Sequence, residues 1–327
     1  MNEIYIQGPA RPIRIAAVRY LNTAPLIEGL QALNSIAVTT AAPSHIADMV
    51  TSGDADLGLV SIIDAVKEPA RGRGPLAIVP VGMIGCDGPT LTVRIFSGVP
   101  IDQIRTLHAD TDSHTSVALA RVLLRRITGR AIETVDFDAR ERVEVGTATA
   151  RSKQQAELGR DSLIEASEWP TSLLLIGDKV VTDSPPAVRY PYQLDLGEAW
   201  KAWTGLPFVY AAWMCRAEDA RSEHVRFAAS ILDRQLRHNL TRLDWIVAHK
   251  AAEHRWPADL AQTYIRDLLR YQLGSREREG ATRFFDEAAN LGIVAAREPI
   301  WIDAIGPRTA LGGVSSASPH TTLAALA

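Results

Sequence analysis

An α/β fold built around a largely parallel sheet is predicted by three features of the sequence. Short apolar runs alternate with amphipathic segments, the connections between them are brief, and the first run is dense enough in apolar residues to be buried on both faces. A chain of 327 residues is long enough for two such lobes with cores of their own.

The elements follow in order. Ile13 to Val18 is the first strand, and Pro25 suits the first turn of a helix after it. A second short strand covers Ile36 to Thr39. In PSHIADMVTSG, Pro43 opens a helix, Ile46, Met49 and Val50 share a face, and Gly53 marks the stop. DADLGLVSII returns to strand character, and Leu76 to Val81 adds another strand. The Gly-Pro punctuation of GCDGPTLTVRIFS, followed by a renewed β-branched run, says that the chain crosses to a new place. SHTSVALARVLLRRITG is the clearest helix, with Val117, Ala120, Leu123, Leu124 and Ile127 on one face, Ser/Thr caps before it and Gly129 at its end. SLLLIGD is a buried strand closed by a Gly-Asp turn. Further helices are predicted over Val225 to Leu236, Leu260 to Leu273 and Thr282 to Leu291, and the small, polar tail beyond Pro307 reads as disordered.

Composition narrows the function classes. The chain is 46% hydrophobic and 22% charged with a formal charge of -3, so no basic stripe offers itself to nucleic acid. A small anionic ligand remains compatible with a weakly acidic chain, because a site can be locally positive. The two cysteines, Cys86 and Cys215, fit a reducing compartment better than a disulfide framework. No apolar run approaches the roughly 20 residues of a membrane span, and no secretory leader stands out, so a cytoplasmic location is expected.

Familiar cofactor motifs do not occur. The eight histidines are scattered without metal-ligand spacing, and GxGxxG, GxSxG and Walker-type loops are missing, so no cofactor or metal is expected. What stands out is a set of polar residues at predicted strand ends and helix starts: Asn22 and Thr23, Ser61, Thr92, Thr115 and Ser116, Gly177 and Asp178. In open α/β sheets ligands bind beyond the carboxyl ends of strands, where helix N-termini offer free N–H donors. Taken singly, each of these side chains is more often a cap or turn residue than a ligand contact. Trp200 and Trp203 share a helical face and read as packing. On the residues alone, the chain is a two-lobed α/β protein that binds a small, anionic ligand.

YLNTAPL, PSHIADMVTSGDADLGLVSI, GCDGPTLTVRIFS, TSVALARVLL, LLLIGD and DLGEAWKAWTGLPFVYAAW occur in this order, with YIRDLLRYQLGSREREGATRFFDEA after them. Together they resemble the menaquinone-biosynthesis chorismate dehydratases from about Ile13 to Val294, and GCDGP and WTGLPFVYAAW are the specific parts. The resemblance implies a fold like the type II periplasmic binding proteins, two α/β lobes around a cleft with two crossovers. One lobe then comprises residues 1–91 and 209–306, the other 92–208, and 307–327 form the tail. It also implies a cofactor-independent lyase that dehydrates chorismate to 3-[(1-carboxyvinyl)oxy]benzoate in the futalosine route to menaquinone.

By match to those motifs, Asn22 is the key catalytic polar residue. Its amide is no base at neutral pH, so its role is to orient and hydrogen-bond the reacting centre. Thr115 and Ser116, with the helix they open, hold one carboxylate of the dianionic substrate, Ser61 and Thr92 add donors, and Gly177 and Asp178 complete the substrate-binding set. The substrate's own enolpyruvyl carboxylate is the suggested proton acceptor. Arg19, His114 and the KVV after IGD depart from the family pattern, and His114 stands where an arginine is usual. Two rival readings stay open: a cytoplasmic anion-binding protein of the same fold without catalysis, and the sister enzyme that makes 1,4-dihydroxy-6-naphthoate.

Overall fold

The structure, a computed structural model, describes residues 11–137 and 169–302. Among these residues the strands are β1 (Ile13–Val18), β2 (Ile36–Ala41), β3 (Leu57–Ser61), β4 (Leu76–Cys86), β5 (Val93–Ser97), β6 (Thr106–Asp110), β7 (Glu133–Phe137), β8 (Ser172–Ile176), β9 (Tyr192–Asp195), β10 (Phe208–Arg216), β11 (Leu269–Arg270) and β12 (Ile300–Trp301). The helices are α1 (Ala24–Ile27), α2 (Pro43–Ser52), α3 (His114–Thr128), α4 (Lys179–Thr182), α5 (Leu196–Thr204), α6 (Glu223–Leu240), α7 (Leu243–Lys250), α8 (Ala258–Gln262) and α9 (Ser275–Asn290). The predicted tail beyond Pro307 lies outside the described residues.

Two sheets result. One has the order β11-β4-β10-β3-β1-β2 with β12 against β4, and the other has the order β7-β6-β8-β5-β9. The chain leaves the first sheet after Cys86, builds the second, and returns at Phe208. Such a two-lobed α/β arrangement is the periplasmic-binding-protein-like fold. The sheets are mixed rather than largely parallel. β1 is parallel to β2 and β3, but β10 is antiparallel to both β3 and β4, and β5 is antiparallel to β8 and β9. The reason is topological: helical crossovers make parallel neighbours, whereas β10 arrives directly from the other sheet.

Local chemistry explains most boundaries. β3 and β8 are buried at every position, which is why they read as unbroken apolar runs. Pro43 begins α2, and Gly53 ends it in the left-handed region at φ 83°. At α3 the Ser113 side chain accepts from the Ser116 N–H, and Gly129 stops the helix at φ 69°. Its buried face comprises Ala118, Leu119, Val122, Leu123 and their neighbours, while Ile127 is exposed. Ile127 falls in the last turn, where Arg125 and Arg126 already face solvent, so the expected five-residue face stops at Leu124.

The stretch Leu260 to Leu273 is not one helix. α8 passes into a π-helical turn, Thr263–Leu268, and then into β11, which pairs with Cys86 and Gly85 on the edge of β4. An open strand edge offers backbone partners that further helix would forgo. The larger apolar cluster spans both sheets, from Ile13 and Ile15 to Ile95, Leu107 and Leu174, and a smaller one on the second sheet gathers Phe96, Leu173, Leu175 and Tyr190. Trp200 is fully buried in the larger cluster, edge-on to Phe208 and Phe284, and donates from Nε1 to the Pro207 carbonyl at 3.2 Å.

Candidate functional site

A cavity lies between the two sheets, with about 450 Å³ of empty space counted to its open mouth. Its walls come from the ends of elements: Val18 and Ile176 close β1 and β8, Val93 opens β5, and Ser113 and Ser116 stand at the start of α3. Tyr20, Asn22, Thr90, Thr92, Tyr210 and Tyr264 supply most of the other polar groups. Strand ends and a long helix's N-terminus thus meet in one place, as the topology of open α/β sheets favours.

Asn22 sits in a short 3₁₀ turn, Leu21–Thr23, and is no cap, because its amide is engaged elsewhere. Thr23 Oγ1 donates to Asn22 Oδ1 at 3.2 Å, and Asn22 Nδ2 donates to the Tyr264 hydroxyl at 3.2 Å. The same hydroxyl lies 2.6 Å from Thr92 Oγ1. Beside this chain, Thr90 Oγ1 lies 2.7 Å from the Tyr210 hydroxyl and donates to Cys86 Sγ at 3.1 Å. Burial pushes both the Tyr210 and the Tyr264 phenols well above their ordinary pKa, and pushes the Cys86 thiol up to about 11, so all three are neutral near pH 7.

The residues lining the cavity carry no carboxylate, imidazole, ammonium or guanidinium. Its donors are an amide, hydroxyls and the α3 terminus. Fixed neutral dipoles of this kind can hold an anion without paying to desolvate a cation beside it. Charge is concentrated outside. Tyr20 and Pro43 also line an outer cleft with Arg19, His45, Lys179, His254 and Arg255, together with Asp178, Asp183 and Glu253.

The structure brings Asn22, Thr92, Ser116 and Gly177 together around the cavity. It does not bring the other three there. Thr115 turns its hydroxyl to accept the Ile63 N–H at 3.3 Å. Ser61 ends β3, buried and opposite Ala211. Asp178 faces the outer cleft, where it accepts the Leu21 N–H at 3.1 Å and lies 2.8 Å from His254 Nδ1. His114 is likewise away from the cavity, paired with Asp64 at 2.9 Å, and Asp64 also meets Lys67 at 2.7 Å.

Gly177 has its own reason to be glycine. Its φ is +64°, and a Cβ there would stand 2.6 Å from the Tyr20 ring. Tyr20 in turn donates to Asp112 Oδ2 at 2.7 Å, which joins the first sheet's body to the second's.

Tyr264, Tyr210, Thr90 and Ser113 were not singled out in the sequence. Thr90 stands two residues before Thr92, and Ser113 opens the Ser/Thr-rich helix start, so both were within reach. Tyr210 lies in an apolar stretch and Tyr264 in a helix-periodic one, where a tyrosine looks like any other core aromatic. Asp195 was missed as well. Its buried carboxylate caps α5 at the Gly197 and Glu198 N–H groups and also accepts the Thr90 and Leu91 N–H groups, pinning the crossover segment beside the cavity.

Among the described residues no cluster of three or more His, Cys, Asp or Glu side chains is placed to hold a metal ion, and no helix is long and apolar enough to cross a membrane.

Comparison with known proteins adds the following. The profile of a family described as menaquinone biosynthesis matches residues 13–157 and 149–290. A chorismate dehydratase of Thermus thermophilus is 26% identical over 288 residues, covering 84% of this chain and 94% of that protein. Among solved structures, the alkanesulfonate-binding protein of Xanthomonas axonopodis pv. citri, bound to MOPS, superposes with a TM-score of 0.58 at 13% identity, covering 90% of this chain and 97% of that one. The periplasmic aliphatic sulphonate binding protein of Escherichia coli matches with a TM-score of 0.54 at 13% identity, covering 90% and 95%. At these identities the solved structures speak to the fold alone.

Proposed function

The chain belongs to the menaquinone-biosynthesis family, and from that premise we propose that it is a cytoplasmic chorismate dehydratase, forming 3-[(1-carboxyvinyl)oxy]benzoate and water. The observation that carries the reading is Asn22, buttressed by Thr23 and Tyr264 on the wall of an inter-sheet cavity lined by neutral donors.

The chemistry suits such a cavity. The ring proton that is lost lies next to a double bond conjugated with the ring carboxylate. As the C–H bond breaks, negative charge moves into that carboxylate, where fixed donors stabilise it most. The C–O bond to the neighbouring hydroxyl then breaks, the ring becomes aromatic, and water leaves with the abstracted proton. Ser116 and the α3 terminus, with Thr92, are the donors we assign to the carboxylates, and Asn22 orients the reacting centre. An amide does not take up a proton near neutrality, and the lining offers no carboxylate or imidazole. The enolpyruvyl carboxylate of the substrate is therefore the base in this reading, and the cavity's contribution is to hold it in reach.

The test is direct. Purified protein is incubated with chorismate, and the aromatic enolpyruvyl product is followed by chromatography with ultraviolet detection, alongside calorimetric binding. Turnover supports the proposal. Tight binding without turnover would identify an anion-binding protein, and absence of both would remove chorismate as the ligand.

A further inference from the structure

Tyr264 is fully buried, and its ring stacks on Trp256 with centroids 4.9 Å apart and planes 12° from parallel. It rides on the π-helical turn Thr263–Leu268, a form that is rare and recurs at functional sites. Its hydroxyl reaches two residues of the cavity wall, the Asn22 amide from the β1 side and Thr92 at the head of the crossover into β5.

Hydrogen-bond polarity is nearly dictated by these partners. An amide NH₂ only donates, so the Tyr264 oxygen accepts from Asn22. The Tyr264 proton then needs an acceptor. A phenol is a better donor than an alcohol and, with its lone pair delocalised into the ring, a poorer acceptor. The 2.6 Å contact therefore runs from Tyr264 to Thr92. Among the described residues Thr92 Oγ1 has no other side-chain or backbone acceptor, so its own proton is left to point into the cavity.

Resting on the functional reading above, we propose that Tyr264 is a positioning residue that sets the direction of this chain. It holds the Asn22 amide with nitrogen toward itself and oxygen toward Thr23, and it turns Thr92 into a donor for a substrate carboxylate. Without the phenol, the Asn22 amide is held by Thr23 alone, and the Thr92 proton is free to leave the ligand.

The test uses the full chain and four proteins: wild type, Tyr264→Phe, Thr92→Val and the double variant. Phenylalanine keeps the ring stacked on Trp256. Tyr264→Phe is expected to lower kcat by about ten- to hundredfold with KM changed by less than about threefold. Because both residues act in one chain, the double variant loses no more than the worse single variant. A Tyr264→Phe rate within about threefold of wild type, or losses that multiply in the double variant, overturns the role. Should Tyr264→Phe not fold, Thr92→Ser and Thr92→Val probe the chain from its other end: valine loses at least about tenfold more rate than serine, and equal rates overturn the proposal. Wild-type protein that neither binds nor dehydrates chorismate overturns the functional reading itself, and this role with it. Wild-type turnover beside an unaffected Tyr264→Phe overturns the role alone.

Discussion

Replacing Asn22 by alanine separates stability from catalysis because the side chain has few structural duties. It accepts one bond from Thr23 and donates one to Tyr264, both at 3.2 Å and both between neutral groups. Each is worth about 1 kcal/mol of stability, together about 2 kcal/mol, a fall in Tm of about 4 °C for a chain of this length. Removing a group that acts on developing charge or orientation in the transition state typically lowers kcat by about 10²–10³, roughly 2.7–4 kcal/mol. The rate should therefore collapse while the fold barely changes. Asn22→Asp gives a second arm. It keeps the shape but places a charge in a cavity whose lining has no cation, beside a dianionic substrate. At about 4 Å and an effective dielectric of about 20, one such like-charge contact opposes binding by about 4 kcal/mol, so the aspartate variant fails through affinity. The assay is steady-state formation of the aromatic product, with thermal melting run in parallel. An alanine variant that melts near wild type and retains kcat within about threefold would refute the catalytic assignment of Asn22.

Other outcomes follow from the same geometry. Gly177→Ala forces a Cβ into the left-handed region and against the Tyr20 ring, so stability should fall by about 1–2 kcal/mol, with weaker ligand binding by calorimetry. Asp178→Asn removes the charge that Leu21 N–H and His254 share across the outer cleft; scattering on the ligand-free protein should show a larger radius of gyration, and an unchanged radius would show that these contacts do not hold the two sheets' bodies together. Asp56 carries a pH dependence. Burial alone would raise its pKa, but hydrogen bonds from Arg11, the Arg14 side chain and backbone N–H, and His224 outweigh it and hold the carboxyl far below the usual range. A depressed carboxyl stabilises the fold fully above its unfolded pKa of about 3.9 and loses that contribution as pH falls toward the folded value. Melting of Asp56→Asn against wild type should show a gap that is constant from pH 7 to pH 5 and narrows below about pH 4.

By itself the sequence determined the local pieces. The apolar runs of β1, β3 and β8, Pro43 and Gly53 at the ends of α2, and the Ser/Thr start and Gly129 stop of α3 are short-range matters, governed by strand burial, fixed proline φ and glycine's left-handed freedom. Motif order was legible too, and with it the family. What the sequence could not say is which hydroxyl meets which. Thr115 and Thr92 look alike as helix-start and strand-start threonines, yet one turns to the Ile63 N–H and the other to the cavity. Asp178 reads as a turn residue or ligand contact, but the approach of Leu21 and His254 occupies its carboxylate. Arg19, the least familiar residue of the YLN stretch, lines the outer cleft rather than the cavity. Tyr264 is the sharpest case. It lies 242 residues from Asn22, in a stretch whose periodicity suggests continuous helix. Only the pairing of β11 with the edge of β4, and the π-helical turn before it, bring the phenol to the amide. Helix and strand signals extend over a few residues and survive in one dimension, whereas the polarity of a buried hydrogen-bond chain exists only once packing has brought its distant members within 3 Å or so of each other.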